Sequence, residues 1–381
     1  MIDRRSLLAR GALLTGALFA PRLAYAAAPT QKRLVFLIQR GAADGLATLA
    51  PTGDPAYERL RGELADIGAG TKLDGLFTLH GSLGQLAGRY QAGEALFVHA
   101  TASPYRDRSH FDGQNVLETG GRLPYDRDDG WMNRLIGLLP SGDAKALALS
   151  PAIPTALRGA ATASSYAPTN LPDASPEFLQ RVARLYADDA QLHDLWSEAV
   201  QTRAMAGELA SDGGRGAAAA GKLAASLMTG PEGARLVMME SGGWDTHAGQ
   251  RGRLANQLTG LDAMLAALRD GLGSAWADTL VIVATEFGRT AAVNGTGGTD
   301  HGTGGMAMLL GGRVKGGRIL TDWPGLSQSA LYEGRDLRPT TSLDTVLAGA
   351  IAGHFGLDPV LTARRLFPGG AGKALEGLIR A

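Results

Sequence analysis

Four short stretches of this chain set acids, histidines and arginines among glycines. RGAADGL carries Arg40 and Asp44; RSHFDGQ carries Ser109, His110 and Asp112; GGWDTH carries Asp245 and His247; and EFGRT, followed by GTDHG, carries Glu286, Arg289, Asp300 and His301. Carboxylate oxygens and imidazole nitrogens without any sulfur describe a site for Zn or Mn, or for Mg or Ca where the carboxylates dominate. The candidate ligands Asp44, Asp245, His247, Glu286, Asp300 and His301 outnumber what one tetrahedral ion needs, so one or two divalent ions are expected. Two ions can clamp the attacking and leaving oxygens of a displacement at phosphorus or sulfur. Ser109, at the start of an expected helix and beside Arg106 and Arg108, is the candidate nucleophile on an anionic ester. Arg40 and Arg289 are candidates to neutralise the oxyanion, and His110 to hydrogen-bond a substrate oxygen or donate a proton.

Each stretch also has a plainer reading. Asp44 before Gly45 suits an ordinary turn, Ser109 and Asp245 suit helix caps, and Glu286 with Arg289 suits a surface ion pair. Their common position argues for a site. Apolar runs recur at Leu34–Ile38, Ala95–His99, Ala146–Ser150, Arg235–Glu240, Thr279–Phe287 and Met306–Gly312 without polar alternation, the pattern of strands buried on both faces. Between them lie helical stretches, the clearest placing Leu254, Leu258, Leu261, Leu265, Leu268 and Leu272 along one face. Strand, helix, strand predicts an α/β fold: a mainly parallel sheet with right-handed crossovers, flanked by helices. The charged stretches follow these runs, or in the case of GTDHG precede the last. Ligands of open parallel sheets bind at that edge.

From Pro176 to about Met228 the chain reads as a polar-rich helical insertion, in which His193 is a surface or packing residue. His80 and His354 read as packing residues; His99 is open. The N-terminus, MIDRRSLLARGALLTGALFAPRLAYAAAP, pairs Arg4 with Arg5 ahead of a short apolar run and ends in Ala24, Tyr25, Ala26. These are the marks of a twin-arginine export signal at residues 1–26, and the run is too short for a permanent membrane span. The expected partners are the twin-arginine export machinery and a small anionic ester, in the periplasm or outside the cell. Cleavage removes four arginines and one aspartate, so 37 basic against 37 acidic residues becomes 33 against 36, which does not fit nucleic-acid binding. With no cysteine the chain has no disulfide, thiolate ligand or cysteine nucleophile.

Together RGAADGL, RSHFDGQ, GGWDTH, EFGRT and GTDHG, behind that signal, resemble the secreted bacterial DUF1501 family, placed in the alkaline phosphatase and sulfatase-like superfamily. The resemblance implies an alkaline phosphatase-like domain over residues 27–381, with the insertion at about 176–228. It also implies an exported metal-dependent hydrolase of a phosphate ester in preference to a sulfate ester, the alternative being a non-catalytic periplasmic binding or surface-assembly protein that keeps the fold. By position, Asp44 resembles the first-strand metal ligand, Ser109 the nucleophile, Asp245 and His247 the ligand pair of the other ion at a closer spacing, and His301 the late histidine. Glu286 stands where the superfamily commonly has an Asp-His pair, and Asp300 would replace a missing ligand. SPYR at Ser103–Arg106 has its proline one place too early for a formylglycine precursor, so that sulfatase chemistry is not expected.

Overall fold

The computed structural model describes residues 31–140, 145–168, 216–230, 233–370 and 372–380, and much of 175–200; the export signal and residues 201–215 of the insertion lie outside the described residues. The described strands are β1 (Arg33–Gln39), β2 (Leu49–Ala50), β3 (Thr71–Lys72), β4 (Thr78–Leu79), β5 (Ala95–Ala102), β6 (Ala146–Leu149), β7 (Ser164–Ser165), β8 (Leu236–Ser241), β9 (Thr279–Ala284), β10 (Gly305–Leu310), β11 (Arg318–Leu320) and β12 (Thr341–Ser342). All six apolar runs form strands of one sheet, in the order β11-β5-β10-β9-β1-β8-β6-β7, with β12 beside β5. The helices that matter here are α1 (Gly45–Thr48), α2 (Tyr57–Arg61), α3 (His110–Thr119), α4 (Pro176–Leu185), α5 (Ala217–Met228), α6 (Gln250–Leu272) and α7 (Leu343–Phe355).

The unbroken apolar runs follow from burial on both faces. In β1, Val35 and Leu37 join one core with Val237, Met239, Val281 and Val283, against which α5 and the leucines of α6 pack. Leu34, Phe36 and Ile38 join the opposite core with Leu236, Met238, Leu280 and Ile282, covered by α7. Successive side chains point to opposite faces, so both must be apolar. The predicted α6 stripe is buried at all six leucines.

One strand departs from the parallel rule. β1 pairs in parallel with β8 and β9, whereas β10 runs antiparallel to both β5 and β9. That reversal brings the start of β10 to the edge where β1, β5, β8 and β9 end. GTDHG, which precedes its strand, therefore joins the stretches that follow theirs.

Two close backbone approaches tighten this edge. Gly41 has φ 115°, and a Cβ there would lie 2.5 Å from the Asp245 nitrogen, so the loop after β1 packs directly on the loop after β8. Arg289 and His301 form an antiparallel bridge, and a Cβ on Gly302 would lie 2.4 Å from the Arg289 carbonyl carbon. The loop after β1 is also pinned by charge. Asp44 caps α1 through the Ala47 N–H and is ion-paired with Arg61 of α2, both side chains essentially inaccessible. Arg61 also donates to the carbonyl oxygens of Thr290 and Ala291. Arg61→Leu leaves Asp44 buried without its counter-ion and is expected to destabilise the protein by about 3–5 kcal/mol in denaturant titration, with Asp44→Leu in the same chain recovering much of the loss.

Candidate metal site

Three imidazoles and one carboxylate converge beyond this edge. Asp245 and His247 come from the loop after β8, His110 opens α3, and His301 lies just before β10. Nε2 of His247 is 3.0 Å from Asp245 Oδ1 and 3.0 Å from Nε2 of His301. Nε2 of His301 is 3.2 Å from Asp245 Oδ1, and Nε2 of His110 is 3.4 Å from Asp245 Oδ2. Ligand atoms of His110, Asp245 and His301 all lie within 4.8 Å of one another, as the donors of one ion must. His247 adjoins this trio, its side chain 45% exposed, much as Asp245 is at 43% and above the 23% of His110.

What faces the other ring nitrogens decides the chemistry. His110 Nδ1 is 2.8 Å from Glu286 Oε1, His247 Nδ1 is 3.0 Å from Asp300 Oδ1, and His301 Nδ1 is 2.9 Å from the carbonyl oxygen of Arg108. All three partners are acceptors at neutral pH, and a proton on Nδ1 of each neutral imidazole satisfies them. The Nε2 lone pairs then point at one another and at a carboxylate. Such an arrangement is repulsive until a cation enters it, and carboxylate or carbonyl partners behind each ring are the usual support of metal-binding histidines. His110 Nε2 is buried with no hydrogen-bond partner, an orphan that an ion would satisfy. Arg108 itself has φ 62°, unusual for a side-chain-bearing residue and consistent with strain held at a functional edge.

The charges are tuned in the same direction. Burial raises the pKa of Asp245, but the Arg289 guanidinium at 2.7 Å works against it, and the carboxyl is held down at about 2. Burial likewise works against Glu286, yet His110, Gln114 and the Gly41 N–H keep it below the ordinary range. Burial lowers His301, whereas the hydrogen bond that His110 donates to Glu286 raises His110. His247 lowers Asp300.

Several sequence expectations change place here. Asp44 is outside the ligand cluster because its oxygens already receive Arg61, Gln250 and the Ala47 N–H. Glu286 is not presented as a ligand: Oε1 receives Gly41, His110 and Gln114, and Oε2 receives the Thr285 hydroxyl. Asp300 serves His247 and Asn294. His110, expected to bind substrate, lies with Asp245 and His301 among the candidate ligands. Arg40 is matched by Glu118, Glu240 and the Gln114 side chain, and Arg289 by Asp245 and Thr299, so neither guanidinium stands free for an oxyanion. Ser109 occupies the N-cap position of α3, but its side chain makes no cap hydrogen bond. Among the other histidines, His99 is wholly buried between the carbonyl oxygens of Gly45 and Leu49, His80 and His354 are buried, and His193 is exposed.

Gln114 and Asn294 were missed. Gln114 lies one helical turn after His110, on the same face of α3, and that i, i+4 spacing was the available signal. Asn294 organises the loop before β10: it donates to the His247 carbonyl and to Asp300, and accepts from the Thr296 and Gly298 amides. Nothing in its local sequence marks it.

The chain is thus an α/β protein with a His-Asp cluster suited to one metal ion, placed at the carboxyl ends of a mainly parallel sheet. The family described as "Protein of unknown function (DUF1501)" matches residues 99–362, well over half of the chain, and the chain belongs to it. No curated protein matches. Similar solved structures include the C-terminal periplasmic domain of EcEptC from Escherichia coli in complex with Zn, at TM-score 0.40 and 10% identity over 74% of this chain and 73% of that one. Ps i-CgsB in complex with k-i-k-neocarrahexaose gives 0.41 and 12% over 86% and 73%, and the lipoteichoic acid synthase LtaP from Listeria monocytogenes gives 0.36 and 10% over 92% and 76%. At these scores the likenesses add nothing to the reading of the site, which rests on its own residues. Among the described residues, no helix is long and apolar enough to cross a membrane.

Elemental analysis of chain purified without chelator is expected to find about one Zn or Mn per molecule, lost in Asp245→Ala and in His301→Ala. Two ions per chain would refute the single centre. A bound ion needs neutral imidazoles, and Glu286 lifts the His110 pKa above the ordinary 6.5, so apparent affinity should be full above that raised pKa and fall by about tenfold per pH unit below it. Competition titrations between pH 5 and 9 check this.

Proposed function

We propose that this chain is an exported, metal-dependent hydrolase of a phosphate ester, built around one divalent ion held by His110, Asp245 and His301. The observation that carries the reading is the convergence of His110, His301 and Asp245 ligand atoms, with an acceptor behind each imidazole. Three protein donors leave coordination positions free, as a catalytic ion requires. When bound, such an ion polarises a phosphoryl oxygen and lowers the pKa of a coordinated water.

The chain's own residues perform the rest. α3 begins beside the cluster with no side-chain cap, so its N-terminal amides and helix dipole favour an anion there. This helix end takes over the role expected of Arg40 and Arg289. Ser109, at the same helix end and next to His110, offers a hydroxyl not spent on capping and is the nucleophile in this reading. His247, with Asp300 on its Nδ1, is the acid-base imidazole of this reading: it takes the Ser109 proton and returns it to the leaving oxygen as the phosphoryl group passes to Ser109, then takes a proton from the water that frees phosphate and gives it back to the Ser109 oxygen. The mature protein acts outside the cytoplasm, its export resting on the twin-arginine pattern of residues 1–26.

One observation favours the alternative of a non-catalytic binding protein. His247 Nε2 is as close to Asp245 and His301 as a fourth ligand would be, and four protein donors make a closed structural site. His247→Gln separates the two. In the hydrolase, the variant keeps its metal while kcat on aryl phosphate esters falls about 10²–10⁴-fold. Loss of the ion from His247→Gln, together with no turnover of phosphate or sulfate esters by the wild-type protein, would establish the non-catalytic alternative.

A further inference from the structure

Behind His110 lies a chain of hydrogen bonds whose direction is fixed from its far end. Arg40 can only donate. Its NH2 group meets Glu118 at 2.8 Å and Glu240 at 2.7 Å, and Glu118 is itself held by the Ala156 N–H, so the guanidinium cannot turn away. Its NH1 group donates to Gln114 at 2.8 Å. The atom of Gln114 facing Arg40 must therefore be the carbonyl oxygen, and the amide nitrogen must face the other way. There it donates to Glu286 Oε1 at 3.0 Å. Glu286 Oε1, which also receives the Gly41 N–H, is thereby fixed as an acceptor, and His110 Nδ1 at 2.8 Å has to supply the proton. The remaining nitrogen, Nε2, faces Asp245 as a lone pair.

We propose that Arg40 and Gln114 are positioning residues of the metal centre, which set the proton of His110 on Nδ1 and so make Nε2 the metal-binding atom. The inference rests on the metal reading of the cluster and assigns Arg40 a role other than oxyanion binding. Neither residue touches the ion or the substrate. Their part is to keep Glu286 an acceptor in one orientation, where an amide free to turn over would offer it an oxygen instead.

The test compares Gln114→Met with Gln114→Glu. Met removes the amide and keeps the bulk; Glu keeps the shape but sets acceptor against acceptor between Arg40 and Glu286. If Gln114 only filled space, Glu would be the milder change. The polarity relay predicts the reverse: Zn affinity falls about 10–100-fold in Gln114→Met and further in Gln114→Glu, with the thermal midpoint of the Met variant close to wild type.

The second readout needs no metal. Imidazole ¹⁵N shifts of the metal-free wild-type protein, taken at a pH where His110 is neutral, should show the Nδ1–H form, and Gln114→Glu should move the ring toward the Nε2–H form. An Nε2–H ring in the wild type overturns the proposal, as does unchanged Zn affinity in Gln114→Glu. A wild type that shows the Nδ1–H form, shifted in Gln114→Glu, yet binds no Zn would uphold the relay and defeat the metal reading instead.

Discussion

The site depends on a rule of proton bookkeeping: a neutral imidazole has one N–H, and whatever accepts it decides where the lone pair goes. Glu286, Asp300 and the Arg108 carbonyl each accept from a different ring, and every lone pair is thereby driven toward Asp245. Two of these supports are carboxylates of the β9–β10 connection and one is backbone from the loop after β5. They are alike in being unable to donate at neutral pH. Asp245 is kept ionised by Arg289, so the lone pairs meet a negative charge that a cation would offset.

To hold three supports in register, the fold has to bring together four connections, those after β1, β5 and β8 and the one from β9 to β10. The reversal of β10 is the decisive element, because it brings His301 to the edge where Asp245 and the loop to His110 already end. Glycine then allows the backbones to touch: Gly41 against the Asp245 amide, Gly302 against Arg289. Buried ion pairs fix what glycine leaves loose. Asp44 with Arg61 fastens the loop after β1, and Asp336 holds Arg108, whose carbonyl orients His301.

Much of this was legible in the sequence, and the limits have a physical cause. Unbroken apolar runs mark strands buried on both faces, and the leucine spacing of α6 marks its packed stripe, because both are local consequences of periodicity. The stretches rich in charge mark the edge where ligands gather. The role of each carboxylate is not local. Asp44, Glu286 and Asp245 all follow strands and all neighbour glycine or threonine, yet one meets an arginine, one meets a histidine's Nδ1, and only the third faces the Nε2 atoms. That depends on which residues from distant segments arrive opposite, as Arg61 and Gln114 do. The periodicity of a strand carries no trace of it.

This sorting of charges explains why the edge suits one ion although the sequence offers ligands enough for two. Four arginines, Arg40, Arg61, Arg108 and Arg289, stand around it, and each is met by at least one carboxylate. A buried charge without a partner is strongly destabilising, so carboxylates spent on arginines cannot also serve a second ion. Asp245 is the exception, shared between Arg289 and the histidine cluster. An ion bound there would have only part of its charge cancelled by its sole carboxylate ligand, while Glu286 and Asp300 lie one layer back, behind the rings. With an ion in place the order would be a positive inner ring inside a negative outer one, the site as a whole staying close to neutral.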